Sequence, residues 1–238
     1  MTCTPAIDAI ASARRLVSFS GAGLSAPSGV ATFRDTAQGH WAKHDPMDLA
    51  SPVGFARDPE LVMTWYAMRR REMAAATPNA GHRALAAHPT MVHITQNTDD
   101  LLERAGATNV LHLHGTINAE RCHGRCGWRS PIDLADPPGV RSCPGCGHHP
   151  SRPDVVWFGE SLPQDIWTAA VDAIEQSDVL VVVGTSAVVH PAAGLIALAR
   201  DHGASVIVVN TDASAADGLA DHVLTGSADT LLPTLFPH

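Results

Sequence analysis

Leu16-Val17-Ser18-Phe19-Ser20-Gly21-Ala22-Gly23-Leu24-Ser25-Ala26-Pro27 is the stretch on which the fold turns. A short, mostly apolar run with no alternation reads as a strand covered on both faces. The glycines that follow let the backbone approach a phosphate closely, and a helix start after them offers free N–H groups to an anion. Ser25 is placed to cap that helix. A strand-to-helix turn without a ligand has the same signature. The next glycine, Gly29, comes six residues after Gly23, and the strand ending at Gln96-Asn97 supplies no ribose-holding acid. The ordinary dehydrogenase fingerprint is therefore absent.

Working outward, Met91 to Thr95, Val179 to Val183 and Val206 to Val209 repeat the buried-strand pattern. Val110 to His114 makes a fifth run, and Val155 to Phe158 a further extended segment. Helical patterns separate them over Glu60 to Ala76, Asn79 to Ala87, Asp99 to Ala105, Pro163 to Glu175 and Ala192 to His202. Strand and helix in alternation predict an α/β fold, a doubly wound, Rossmann-like parallel sheet. Two stretches break the rhythm: a helical excursion after Thr36, and Glu120 to Pro153, rich in Cys, Pro, Gly and Arg and too long for an ordinary loop. The expected organisation is one catalytic domain over 1–238. Its large part comprises 1–35, 88–119 and 154–238. Its small part is helical over 36–87, with a metal module over 120–153.

That module carries Cys122-x3-Cys126 and Cys143-x2-Cys146, sixteen residues apart. Four thiolates in two close pairs surround a tetrahedral zinc, which supplies the order the segment lacks and, with no open position, is structural. Two disulfides or free thiols are the alternatives, less suited to a reducing compartment. His123, His148 and His149 are spare candidates.

The chain has 238 residues, 45% apolar and 17% charged, an ordinary globular balance. No apolar run is long enough to span a membrane. Met1 to Arg15 lacks the order of a signal peptide, so a cytoplasmic location is expected, with no membrane partner. A net charge of -8 disfavours sequence-independent nucleic-acid binding. A monomer is the simplest expectation.

Gly21 to Asp35 as a block resembles the signature of the sirtuins, NAD-dependent lysine deacylases. So do Thr95-Gln96-Asn97-Thr98-Asp99, His114-Gly115-Thr116, Val156-Trp157-Phe158-Gly159-Glu160, Gly184-Thr185-Ser186 and Asn210-Thr211-Asp212. The blocks keep the family's order over nearly the whole chain. The paired cysteines fall where the family keeps its zinc, although the first pair is usually spaced by two residues.

The resemblance implies NAD as a consumed co-substrate and acyl-lysine proteins as partners. It implies that Gly21, Ala22, Gly23, Ser25, Thr32, Phe33, Arg34 and Trp41 serve the pyrophosphate and nicotinamide-ribose side. Gln96, Asn97, Thr98 and Asp99 line the nicotinamide pocket. Gly184, Thr185, Ser186, Asn210, Thr211, Asp212 and Ala228 hold the adenosine half. His114, with Asn97 and Asp99, is the catalytic set: the acyl oxygen displaces nicotinamide, and His114 takes a proton from a ribose hydroxyl. The products are nicotinamide, free lysine and O-acyl-ADP-ribose. His112 is a decoy on the same strand face, and only His114 ends the strand and precedes Gly115-Thr116. Val156 to Glu160 is implied to bind the peptide backbone by strand addition.

Tyr66 and Arg69 lie three apart on a predicted helix and share a face. They resemble the Tyr-x-x-Arg pair of sirtuins that remove succinyl, malonyl or glutaryl groups. A planar guanidinium fork and a hydroxyl suit an acyl chain that ends in a carboxylate. Arg70 and Arg71 read as a solvated basic face. The competing functions are a protein ADP-ribosyltransferase using the same NAD pocket, and an NAD-sensing module without turnover.

Overall fold

A computed structural model of the chain describes residues 3–31, 45–132 and 138–237. The elements run α1 (Thr4–Ser12), β1 (Leu16–Ser20), α2 (Pro46–Leu49), α3 (Pro52–Arg57), α4 (Pro59–Ala75), α5 (Ala80–Ala86), β2 (Val92–Thr95), α6 (Leu101–Arg104), β3 (Val110–His112), β4 (Gly115–Cys122), β5 (Arg129–Pro131) and β6 (Ser151–Val155). They continue with α7 (Gln164–Glu175), β7 (Val179–Val183), α8 (Gly194–Asp201), β8 (Ser205–Asn210), β9 (His222–Thr225) and α9 (Ala228–Leu235).

Six strands form one sheet in the order β3-β2-β1-β7-β8-β9, and every neighbouring pair is parallel. Counted within the sheet this is the doubly wound order 3-2-1-4-5-6, whose switch point lies between β1 and β7. The chain's most continuous apolar run forms β7, and all five of its residues are buried. One core packs Val181 and Val209 against α1, α5 and α9, and the other packs Leu180, Val182 and Val208 against α7 and α8. The two layers explain why these strands lack alternation.

The sequence expectations need four adjustments here. Helix α5 lies in the span expected to form the small part, but its Ala84 and Leu85 lie in the same cluster as Val181, Val209 and Leu232. The run Val110 to His114 ends as strand at His112. The extended segment near Val155 is the end of β6, in a second sheet of order β5-β4-β6 with antiparallel pairing. That sheet gives regular structure to residues 120–122, 129–131 and 151–153 of the segment. Arg70 is not solvated: it is 5% exposed.

Helices α2, α3 and α4 begin at Asp45, Ser51 and Asp58, each of which accepts a backbone N–H and is followed by proline. They bury Leu49, Phe55, Val62, Met63, Trp65 and Tyr66 against Ile117, Val155 and Trp157 of the second sheet and its exit. No helix among the described residues is long and apolar enough to cross a membrane.

Candidate active site

The glycine turn sits at the switch point and packs backbone on backbone. Gly21 N–H donates to the Val183 carbonyl at 2.9 Å and Gly23 N–H to the Gly184 carbonyl at 2.8 Å. A Cβ on Gly23 would lie 2.6 Å from Gly184 Cα, and Gly184 itself has φ +58°. These glycines are thus required by the contact between the ends of β1 and β7. The expected helix start is absent. Two three-residue 3-10 turns, Ala22–Leu24 and Ala26–Ser28, follow β1, and Ser25 makes no cap bond.

Ser25 is instead the hub of a buried polar cluster. Its hydroxyl donates to Asp99 Oδ2 at 2.9 Å. It accepts from Asn97 Nδ2 at 3.1 Å and lies 3.4 Å from His82 Nε2. Asn79 N–H donates to His82 Nδ1, which leaves the ring proton on Nε2, facing Ser25. Burial takes the His82 pKa down to about 4, so this ring is neutral. One hydroxyl donor and two lone pairs are then all used. Asn97 Nδ2 also donates to the Gly21 carbonyl at 3.1 Å, tying the loop after β2 to the glycine turn. Asp99 is 6% exposed. It precedes α6 and accepts the Leu101 N–H at 3.2 Å. Burial raises its pKa against the pull of that N–H and of Ser25.

His112, which ends β3, and His114, two residues on, separate by their hydrogen bonds. His114 Nδ1 lies 3.0 Å from the Gln96 carbonyl, an acceptor, so Nδ1 carries the proton and Nε2 keeps a lone pair. Burial lowers the His114 pKa, with the Gln96 bond partly opposing. The ring is therefore a neutral base at pH 7. His112 faces Asn97 and Glu103 and has neither nitrogen to spare. Gln96 Nε2 is buried with no partner among the described residues, a polar atom that suits a ligand amide.

In the blocks that the resemblance assigns to the adenosine half, Asn210 closes β8 and donates from Nδ2 to the Thr185 carbonyl at 2.9 Å. Thr211 and Asp212 are exposed and bonded to each other, Ser186 is half-buried, and Ala228 is buried at the start of α9. Thr98 accepts the Ile117 N–H through its carbonyl. Thr32, Phe33, Arg34 and Trp41 lie outside the described residues.

Val156 to Glu160, which the resemblance assigns to the peptide backbone, is not a free strand. Val156 N–H donates to the His114 carbonyl and Phe158 N–H to the Ala50 carbonyl. Trp157 N–H goes to Glu160 Oε2, and Glu160 N–H to the Trp157 carbonyl. Those donors are engaged within the chain in this conformation, and the Phe158 side chain is exposed. Val188 and Val189, past β7, are exposed apolar residues that the sequence reading did not single out. Glu160 is anchored by buried Arg152, whose guanidinium also stacks 3.8 Å from the Trp157 ring centroid. Trp157 Nε1 donates to the Tyr66 hydroxyl at 2.9 Å. Arg69 donates to Glu72 and to the Ala31 carbonyl, both at 2.8 Å.

Cys122, Cys126, Cys143 and Cys146 bring their sulfurs within 4.8 Å of one another. The Cys122–Cys146 and Cys126–Cys143 separations are 3.7 Å. A tetrahedron with metal–sulfur bonds of about 2.3 Å has edges of about 3.8 Å, so the set fits zinc and leaves no open position. Within the first knuckle Arg125 takes φ 56°. His123 is not a ligand: its ring packs 5.0 Å from Phe55.

A doubly wound sheet with a polar cluster and a neutral histidine gathered at its switch point defines a Rossmann-like domain equipped for nucleotide chemistry. Residues 21–191 match the Sir2 family model, and the chain belongs to that family. It is 46% identical over 241 residues to "NAD-dependent protein deacylase 1" of Pseudomonas aeruginosa, covering 96% of each chain. It is 47% identical over 233 residues to an NAD-dependent protein deacylase of Mycobacterium tuberculosis, covering 93% of this chain and 96% of the other. A solved complex of a Sir2 homologue with NAD superposes with TM-score 0.93 at 40% identity, over 99% of this chain and 93% of that one.

Proposed function

We propose that this protein is an NAD-dependent protein lysine deacylase that accepts acyl groups ending in a carboxylate as well as acetyl. The observation that carries the chemistry is His114: one nitrogen is committed to the Gln96 carbonyl, and the other is an unprotonated base. Bound NAD supplies the glycosidic bond that is cleaved and the ribose hydroxyl that is activated. The chain's residues do the rest. Ser25, Asn97 and Asp99 hold the nicotinamide side, with the Gln96 amide as a further donor. His114 Nε2 takes the hydroxyl proton. Gly21 to Gly23 and Gly184 allow the dinucleotide close approach to the backbone, and Thr185, Ser186 and Asn210 to Asp212 take the adenosine half, with Ala228 beside them. The four cysteines hold a structural zinc.

The acyl preference rests on Tyr66 and Arg69. Burial pushes the Tyr66 pKa well up, so the phenol stays protonated. Trp157 Nε1 is a donor only, so Tyr66 accepts from it and its own proton remains to donate. Arg69 spends two contacts on Glu72 and Ala31 of the five donors that a guanidinium offers. The test is nicotinamide release with matched acetyl-, malonyl- and succinyl-lysine peptides. Release that depends on an acyl peptide, and is lost in His114→Ala, is expected. Release independent of acyl peptide would overturn the reading.

A further inference from the structure

His112 ends β3 two residues before the candidate base, and the two rings grip consecutive carbonyls. His114 Nδ1 faces the Gln96 carbonyl at 3.0 Å, and His112 Nδ1 faces the Asn97 carbonyl at 2.9 Å. Their far sides differ. His112 Nε2 lies 2.7 Å from Glu103 Oε1 of α6. A backbone carbonyl and a carboxylate are both acceptors. A neutral imidazole has one N–H and would leave one of these contacts as lone pair against lone pair. Only the doubly protonated ring satisfies both.

We propose that His112 is a positioning residue for the nicotinamide pocket: an imidazolium clamped between Glu103 and the Asn97 carbonyl that fixes the loop Gln96 to Asp99. The geometry of that loop explains why this matters. Asn97 takes its backbone N–H to Thr95 Oγ1 at 3.0 Å, and its side chain reaches Gly21 and Ser25. Its carbonyl is the remaining handle, and His112 holds it. Glu103 thus makes a fixed cation of one histidine, while the other, lacking such a partner, stays a base.

The surroundings agree. Burial works against a charged His112, but the bond and charge of Glu103, the Asn97 carbonyl and the charge of Asp99 outweigh it and hold its pKa above the usual histidine value. Burial also opposes a charged Glu103, and the His112 contact prevails and lowers it. On β2 alongside, Thr95 is the register partner. His93 is the titratable group there, and burial takes its pKa to about 4, so it adds no competing positive charge at neutral pH.

The proposal rests on the reading that Asn97 lines the nicotinamide pocket, and the test separates the two. Nitrogen-15 NMR of the imidazole rings reads the clamp directly in the full-length protein. Both His112 nitrogens are expected to be protonated at pH 7.5, and Glu103→Gln is expected to return the ring to its neutral form. In steady-state kinetics, His112→Gln and Glu103→Gln are expected to raise KM for NAD about 10- to 150-fold, the scale of one charge-assisted hydrogen bond, with KM for the acyl peptide changed less than twofold. Glu103→Gln lies at a partly exposed site and keeps the test open if His112→Gln does not fold. A neutral His112 in the wild-type protein at pH 7.5 overturns the proposal. So does an unchanged KM for NAD in Glu103→Gln when Asn97→Ala raises it. If Asn97→Ala also leaves NAD binding unchanged, the pocket assignment itself has failed.

Discussion

Replacing Ser25 by alanine removes the hydroxyl on which Asp99, Asn97 and His82 converge. The hydroxyl is almost fully buried at 1% residue exposure. It gives one bond to the Asp99 carboxylate at 2.9 Å and accepts one from Asn97 at 3.1 Å, with His82 more distant at 3.4 Å. A bond to a charged group contributes about 1.5–3 kcal/mol and a neutral one about 1 kcal/mol, so the variant loses about 2–4 kcal/mol. Two readouts divide that loss. If it falls on the folded state, Tm drops by about 4–15 °C for a chain of this size. If it falls on the productive site, kcat/KM for NAD drops by about 30- to 1000-fold. The pH dependence gives the sign. Asp99 has a folded pKa above its unfolded value, so the folded state binds the extra proton and stability falls as pH rises through that window. Without Ser25 the carboxylate is held charged less well and its pKa rises further. The stability deficit of Ser25→Ala therefore narrows as pH falls from 7 towards 4. Differential scanning calorimetry across pH 4–8 with NAD kinetics at pH 7.5 measures both. A variant within twofold of wild type in kcat/KM for NAD and within a degree or so in Tm would refute the cluster's role.

Arg69→Met is expected to lower desuccinylation by about 10- to 100-fold while deacetylation changes less, because only the carboxylate-tipped chain loses a charge-assisted bond; equal losses on matched peptides would remove the acyl assignment. His82 and His93 both titrate at about 4 in the folded protein. The unfolded chain then takes up protons that the native state refuses, and stability falls between about pH 6.5 and 4, by roughly 3 kcal/mol per histidine at most. His93→Gln should flatten that decline in urea titrations at pH 5 and 7 by about half. Denaturation should release one zinc per chain to a chromogenic chelator, and Cys143→Ser, at a site 1% exposed, should release far less and unfold at lower temperature.

Much of this architecture is legible in the sequence because the central strands are buried on both faces and so read as continuous apolar runs. Where that condition lapses, the reading lapses. Edge strand β9, His222–Thr225, has only Leu224 buried. Strand β6 reads Ser-Arg-Pro-Asp-Val, and its Arg152 is tolerated inside only because Glu160 and the Trp157 ring, elsewhere in the chain, receive it. Helix α1, Thr4–Ser12, shows just two buried residues, Ala6 and Ile10, too few for a clear period. In the site, the motif residues were found from their order along the chain, but their roles depend on partners. Ser25 looked like a helix cap and is a hub. His82 belongs to no motif that the sequence reading assigns, and its signal is the Asn79-Ala80-Gly81-His82 capping pattern that turns its ring inward. His112 and His114 are indistinguishable by strand alternation. What separates them is Glu103, nine residues earlier in sequence and 2.7 Å away in space.

The most direct measurement follows the acyl group by mass. The protein is incubated with NAD and an acylated lysine peptide, and every product is weighed. The account predicts equimolar nicotinamide, unmodified lysine peptide and ADP-ribose carrying the acyl group, with all three lost in His114→Ala. A peptide that keeps its acyl group and gains ADP-ribose, or a His114→Ala protein that turns over like the wild type, would contradict it.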